Sequence, residues 1–222
     1  MTTRIAVAVE EMPKKTFASA IDWPGWSRSG KTVPGALEAI AAYAARYAVV
    51  ARAAGEAFPT DGIEVEVFET SGGGGGTEFG VPSLVTEADR RPTTSAEADR
   101  LARLVAAAWA RLDDVVSGVP EELRKGPRGG GRNTSKIVEH TLAADHANAR
   151  EMGLKLPAPV PGDAASIRHV RDAIHEVLRR PSDGTPIADR RWTVRYAAHR
   201  IAWHSLDHAW EIEDRSVPEA TP

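Results

Sequence analysis

The sequence predicts an α+β protein in which a small β-β-α-β module is followed by an up-down four-helix bundle. Segments that alternate between apolar and polar residues are confined to the first 70 positions, and such alternation is typical of half-buried strands. From about residue 95 onward, apolar residues instead recur at steps of three and four, as in amphipathic helices. Five consecutive glycines separate the two patterns. We therefore expect an α/β module at 1–70, a glycine-rich linker at 71–94 and a bundle at 95–216.

The N-terminal module is predicted to contain a hairpin of two strands, one helix and a third strand. The hairpin strands are rich in small and β-branched apolar residues and are joined by a Pro-Lys-Lys turn. A polar loop at 27–31 leads to Thr32, whose hydroxyl can cap the helix. The glycine run maximises backbone freedom, so we expect it to form a linker or mobile loop without a packed element. The expected strands are 4–10, 16–22 and 63–70, and the expected helix is 34–54.

Four long helices are predicted for the C-terminal part. The first three begin at residues that can cap them, namely Ser95, then Asn133 or Thr134, and Asp163. Four helices with short to medium connections favour a four-helix bundle, whose binding sites are built from side chains on facing helices. The expected helices are about 96–116, 135–152, 164–179 and 190–215.

Composition and charge exclude several classes of protein. Hydrophobic residues make up 42% and charged residues 27% of the 222 residues, as in ordinary folded domains. The net charge of −3 provides no general attraction to nucleic acid or anionic lipid. No leader pattern and no apolar run of roughly 18 residues occurs, so we expect a cytoplasmic protein. Because the chain has no cysteine, any metal must be held by nitrogen and oxygen.

The seven histidines all lie in the last three predicted helices. His204 and His208 are four residues apart, which places them about 40° from each other on one helix face. That spacing lets two imidazoles reach one metal ion. Glu211 extends the same face with a carboxylate that could orient a ligand or move a proton, so it is the candidate catalytic residue.

A third metal ligand is expected from a facing helix. His140 lies among apolar neighbours in the second bundle helix, whereas His146 stands about 120° away from it, so we favour His140. Three histidines leave a coordination position open, as in catalytic sites, and zinc, nickel or ferrous iron would suit them. Helical histidines also cap, stack or face solvent, and this structural alternative stays open. The metal is favoured because Trp203, Leu206 and Trp210 flank the face, and unpartnered polar groups there would be costly.

These features resemble the DinB-like metal-binding bundles, which carry one histidine on the second helix and a His-x-x-x-His pair on the fourth. The resemblance covers about residues 95–215, and the segments at 123–132 and 202–215 are similar to an actinobacterial branch of the family. A glutamine typically follows the pair by three residues in the family, where this chain has Glu211. Several members are transferases or isomerases that use mycothiol or bacillithiol. The resemblance therefore implies a thiol cofactor at the open metal position.

A basic, glycine-rich loop precedes the helix that carries His140. Its cationic residues are Arg124, Lys125, Arg128 and Arg132. Guanidinium groups on mobile backbone before a helix N-terminus suit a carboxylate or phosphate. The three arginines are therefore candidate cofactor-binding residues, and the alternative is an ordinary solvated loop between helices.

The N-terminal module is similar to the HicB-like antitoxin fold, in which a strand, a Pro-Gly corner, a glycine turn and a helix follow in the order seen from residue 17 onward. The match covers about 65 residues. In HicB antitoxins a DNA-binding module usually follows, whereas here helices follow, so the resemblance implies the fold and not the antitoxin role. We expect Trp23 and Trp26 at the corner to pack the sheet against its helix.

These inferences together predict a metal-dependent thiol transferase or isomerase that acts on a small electrophilic substrate. The positive charge of the basic loop would favour the binding of an anionic substrate. Two alternatives remain: a metal-dependent hydrolase that uses water, and a non-catalytic binding protein in which the HicB-like module recognises a protein or RNA partner and the bundle is a scaffold. We expect a small-molecule substrate, allow for a homodimer, and expect neither nucleic acid nor a membrane as partner.

Overall fold

Four strands form one mixed sheet in the N-terminal part of the chain. The computed structural model describes residues 2–59, 61–125 and 131–216. The strands are β1 (Thr3–Met12), β2 (Lys15–Ala20), β3 (Ser27–Gly30) and β4 (Ile63–Gly72). The α-helices in the described ranges are α1 (Val33–Ala42), α2 (Ala44–Ala53), α3 (Gly75–Phe79), α4 (Ser95–Ser117), α5 (Thr134–Glu151), α6 (Ala164–Leu178) and α7 (Val194–Ser216). The protein therefore has the mixed α+β class that its sequence predicts.

The sheet has the strand order β3-β2-β1-β4. Strand β1 is antiparallel to β2, as the predicted hairpin requires, and parallel to β4. The prediction of a polar loop at 27–31 is wrong for most of this segment, because Ser27–Gly30 form a strand that pairs with β2 in antiparallel register. This strand is short and polar, so it carries none of the apolar alternation by which a strand is recognised.

The predicted first helix is interrupted at Tyr43, whose backbone angles of φ −91° and ψ 2° separate α1 from α2. Trp26 is fully buried between these helices and the sheet. Its Nε1 donates to the Ile40 carbonyl over 2.9 Å, and its ring stacks on Tyr47. Trp23 meets Tyr47 edge to face. Both corner tryptophans thus pack the helices onto the sheet, as expected.

The glycine run contains regular, packed structure. Strand β4 extends into it and α3 begins within it. A Cβ atom on Gly73 would lie 2.7 Å from Met12 Cγ, and one on Gly76 would lie 2.5 Å from Ser83 Oγ. The expectation that the run supports no packed element is therefore wrong, because the missing Cβ atoms here permit close approach of neighbouring groups.

The four long helices pack on one another and on the sheet. Helices α4 and α7 lie side by side, and α5 and α6 pack against them. One hydrophobic cluster runs from Val7 of the sheet through Leu104 of α4 to Ile201 of α7. An ion pair of 2.9 Å between Arg28 and Asp207 adds a polar link from β3 to α7. Helix α7, which carries most of the candidate site, is thus fixed by both layers.

The ends of the long helices lie close to their predicted positions. The cap of α4 is Thr94 rather than Ser95, while Asp163 caps α6 as expected. Helix α7 begins at Val194 instead of near residue 190, because Arg190, with φ −99° and ψ −143°, does not have helical backbone angles. None of the described helices has the length and apolar character needed to cross a membrane.

Candidate metal centre

Three imidazoles meet between α5 and α7. His140 projects from α5, and His204 and His208 stand one turn apart on α7. One nitrogen of each ring lies within 4.8 Å of a nitrogen of the other two. Among the residues that the structure describes, no other group of histidine and carboxylate side chains has this arrangement.

Apolar packing near the histidines holds the two helices together. Ile137 lies one turn before His140 on α5 and is fully buried. It belongs to a hydrophobic cluster that includes Ala209 and Ile212 of α7. Because side chains three residues apart share a helix face, the burial of Ile137 turns His140 toward α7.

The distances between the rings fit one shared metal ion. The Nε2 atoms of His140 and His204 are 3.1 Å apart. The centroid of the His208 ring lies 5.0 Å from that of the His140 ring and 4.8 Å from that of the His204 ring. Two nitrogens bound tetrahedrally at about 2.0–2.1 Å are about 3.3 Å apart. Three imidazole nitrogens and no thiolate form a donor set suited to zinc, nickel or ferrous iron.

Burial favours the neutral form of two of the candidate ligands, His140 and His204. His204 is 9% exposed, and its desolvation, together with the neighbouring His208 and Arg200, lowers its pKa to about 2. Burial and the proximity of His208 also lower the pKa of His140. Neutral imidazole is the form that binds a metal, so both rings are ready to act as ligands at neutral pH.

The carboxylate of Glu211 forms a hydrogen bond with the ring of the candidate ligand His208. Nδ1 of His208 donates to one carboxylate oxygen over 2.9 Å, and Arg215 donates to the other over 2.7 Å. The hydrogen bond from His208 also lowers the pKa of Glu211. Carboxylates in this position fix the tautomer and orientation of a metal-binding histidine. The sequence places Arg215 near the same helix stripe, four residues after Glu211, but its contact with Glu211 is seen only in the structure.

The three predicted cofactor-binding arginines of the basic loop have different surroundings. Nη2 of Arg124 donates to the Asp214 carbonyl over 2.6 Å, and Nε of Arg215 donates to the Arg124 carbonyl over 2.7 Å. This pairing holds Arg124 at the end of α7. Arg132 is exposed, and its charge helps to lower the pKa of His140. The predicted residue Arg128 lies outside the described residues.

The rejected candidate His146 and a further histidine of α7, His199, form hydrogen bonds elsewhere. Nε2 of His146 is 2.9 Å from the Leu156 carbonyl oxygen. Nε2 of His199 is 3.0 Å from the carbonyl oxygen of Ile21, the residue that follows β2. The structure thus brings His140, and not His146, to the pair on α7.

The chain was compared with protein-family models, with curated proteins and with solved structures, and none of these comparisons gave a match.

Proposed function

We propose that the chain is a divalent-metal-dependent enzyme in which His140, His204 and His208 hold the ion. The observation that carries this proposal is the approach of three imidazole nitrogens from two helices to within 4.8 Å, with a carboxylate behind one ring. Three protein ligands leave a coordination position for a reactant, as in catalytic zinc sites. Zinc, nickel and ferrous iron all suit imidazole ligands.

The proposed architecture is a HicB-like module joined to a DinB-like bundle. A four-stranded sheet with α1 packed against it supports the first part. Four long helices that pack on one another support the second, with ligands on the second and fourth of them. Both assignments rest on the sequence resemblances together with this coarse agreement.

The proposed reaction is a thiol-dependent transfer or isomerisation of a small electrophilic substrate. The chain has no cysteine, so a thiolate must arrive with a cofactor such as mycothiol. A bound divalent metal would supply Lewis acidity and lower the pKa of the thiol. The resemblance to thiol-dependent DinB-like enzymes supports this choice over simple hydrolysis.

The chain's own residues prepare the site for that chemistry. Glu211 holds His208 with its Nδ1 hydrogen-bonded, which leaves Nε2 as the ligand atom. Arg215 holds Glu211 in turn. Arg132 adds an exposed positive charge beside the histidines and would attract an anionic cofactor or substrate. Glu211 therefore acts as a positioning residue in this account.

Metal stoichiometry tests the proposal. Equilibrium dialysis against zinc, followed by elemental analysis, should give one ion per chain for the unaltered protein and none for His204→Ala. His169→Ala is the matched control, because His169 is an exposed histidine on α6 and should leave zinc binding unchanged. Failure of the unaltered protein to bind zinc at micromolar concentration would contradict the proposal.

Thiol dependence is tested separately on the zinc-loaded protein. A screen of small electrophiles should show turnover with mycothiol present and none when it is omitted. Turnover without any thiol would refute the thiol-dependent reaction and favour a hydrolase, while leaving the metal site in place.

A further inference from the structure

A cavity whose walls are mostly apolar lies about one helical turn before His204 along α7. It is enclosed by β1, β2, the segment 82–89 and α7, and its volume is about 40 Å³. Helix α7 contributes Arg200 and Trp203 to its lining, and the other walls contribute Glu10 and Asp89. A single water molecule needs about 10–15 Å³ of such a cavity, so the space suits a group of about three or four heavy atoms.

Two residues of the lining, Arg200 and Trp203, carry a hydrogen-bond donor that lacks an acceptor. Within the described part of the chain, neither Nη1 of Arg200 nor Nε1 of Trp203 has a hydrogen-bond partner, although both atoms are buried. Trp203 is 4% exposed. The guanidinium of Arg200 lies 4.9 Å from the centre of the Trp203 ring, so the two donors are neighbours. Buried donors without acceptors destabilise a fold, which indicates that an acceptor group enters the cavity.

The acidic side chains of the lining do not supply that acceptor. Glu10 is buried and accepts hydrogen bonds from the Thr77 hydroxyl and from the Ser83 and Leu84 backbone amides at 2.9–3.1 Å. Asp89 accepts from the amide and hydroxyl of Thr86. Neither acid forms an ion pair with Arg200 within 4.0 Å. Both acids are thus occupied by their own neighbours.

The chemistry of the lining selects the ligand. A planar guanidinium matches a carboxylate, which can accept from several donors at once. Glu10 and Asp89 in the same lining disfavour a doubly charged anion such as phosphate by repulsion. The volume of about 40 Å³ admits a carboxylate with one or two carbons.

We propose that this cavity binds a small monocarboxylate of the size of acetate, whose oxygens accept from Arg200 Nη1 and Trp203 Nε1. The proposal does not depend on a metal at the histidines, because the donors belong to residues outside the ligand group. It adds a carboxylate site to the chain, separate from the basic loop.

The test follows the indole N–H signal of Trp203 by ¹⁵N–¹H NMR during titration with acetate. Trp203→Phe assigns this signal, because it removes the N–H and keeps an aromatic ring. Acetamide is the matched ligand, since it has the shape of acetate without the charge. Arg200→Gln removes the guanidinium, and Arg150→Gln, which changes an exposed arginine on α5, is the matched control.

We expect acetate to shift the Trp203 signal to saturation, and to bind at least tenfold more weakly to Arg200→Gln than to Arg150→Gln. Acetamide should bind the unaltered protein at least tenfold more weakly than acetate. The proposal is overturned if acetate gives no saturable shift, if acetamide or phosphate binds equally well, or if Arg200→Gln binds acetate normally. The comparison of acetate with acetamide uses the unaltered protein, so it decides the matter even if Arg200→Gln does not fold.

Discussion

Acid should destabilise the metal-free protein through His204. Burial lowers the pKa of this residue from 6.5 to about 2, so the folded chain keeps the ring neutral where the unfolded chain protonates it. The unfolded state therefore binds more protons below pH 6.5, and folding stability falls as the pH falls. One pH unit corresponds to about 1.4 kcal/mol, so the loss from pH 7 to pH 5 is about 2 kcal/mol. Because the folded pKa lies well below 5, this loss is set by the ordinary pKa of the unfolded chain.

Urea unfolding in the presence of a chelator, at pH 7 and at pH 5, measures this loss. The unaltered protein should lose about 2 kcal/mol more between the two conditions than His204→Gln, which has no titrating ring. His169→Gln removes an exposed histidine and should behave like the unaltered protein. The reasoning is refuted if His204→Gln loses as much stability as the unaltered protein.

Three further changes test other parts of the account. Glu211→Ala removes the acceptor behind the ligand histidine and should weaken zinc binding about 10–100-fold in a chelator competition assay, whereas Glu139→Ala, at an exposed acid on α5, should not. Ile137→Ala should lower the free energy of unfolding by about 2–4 kcal/mol in urea, because it opens a cavity between α5 and α7; an effect below about 1 kcal/mol would contradict the packing described. Gly76→Ala should destabilise by about 1–3 kcal/mol, since its Cβ would lie 2.5 Å from a serine hydroxyl, while Gly75→Ala meets open space and should be neutral or stabilising in the same measurement.

The helical half of the fold could be predicted from sequence, because its signals are local. The apolar stripe of α4 and the cap at Asp163 depend only on residues within a few turns. The same holds for the pair His204 and His208, whose common face follows from helix geometry. The structure places His140 beside this pair, and its apolar neighbours in the sequence indicate a face directed at another helix.

Features that depend on tertiary contact could not be predicted. Strand β3 is polar and is recognised only by its pairing with β2. The glycine run has the composition of a linker, yet Gly73 and Gly76 are needed where other side chains approach. Arg200 lies near the histidine stripe in sequence, but only the structure reveals that its Nη1 is buried without an acceptor. Whether a buried donor has an acceptor depends on every segment packed around it, so it cannot be read from the neighbouring sequence.

X-ray absorption at the zinc edge of the loaded protein measures whether three histidines bind one metal ion. Three imidazole nitrogens are expected at about 2.0–2.1 Å, with a light atom in the remaining position when no thiol is present. Addition of the thiol cofactor should then introduce one sulfur at about 2.3 Å. A zinc ion surrounded by oxygen alone, with the same spectrum in His204→Ala, would contradict the account.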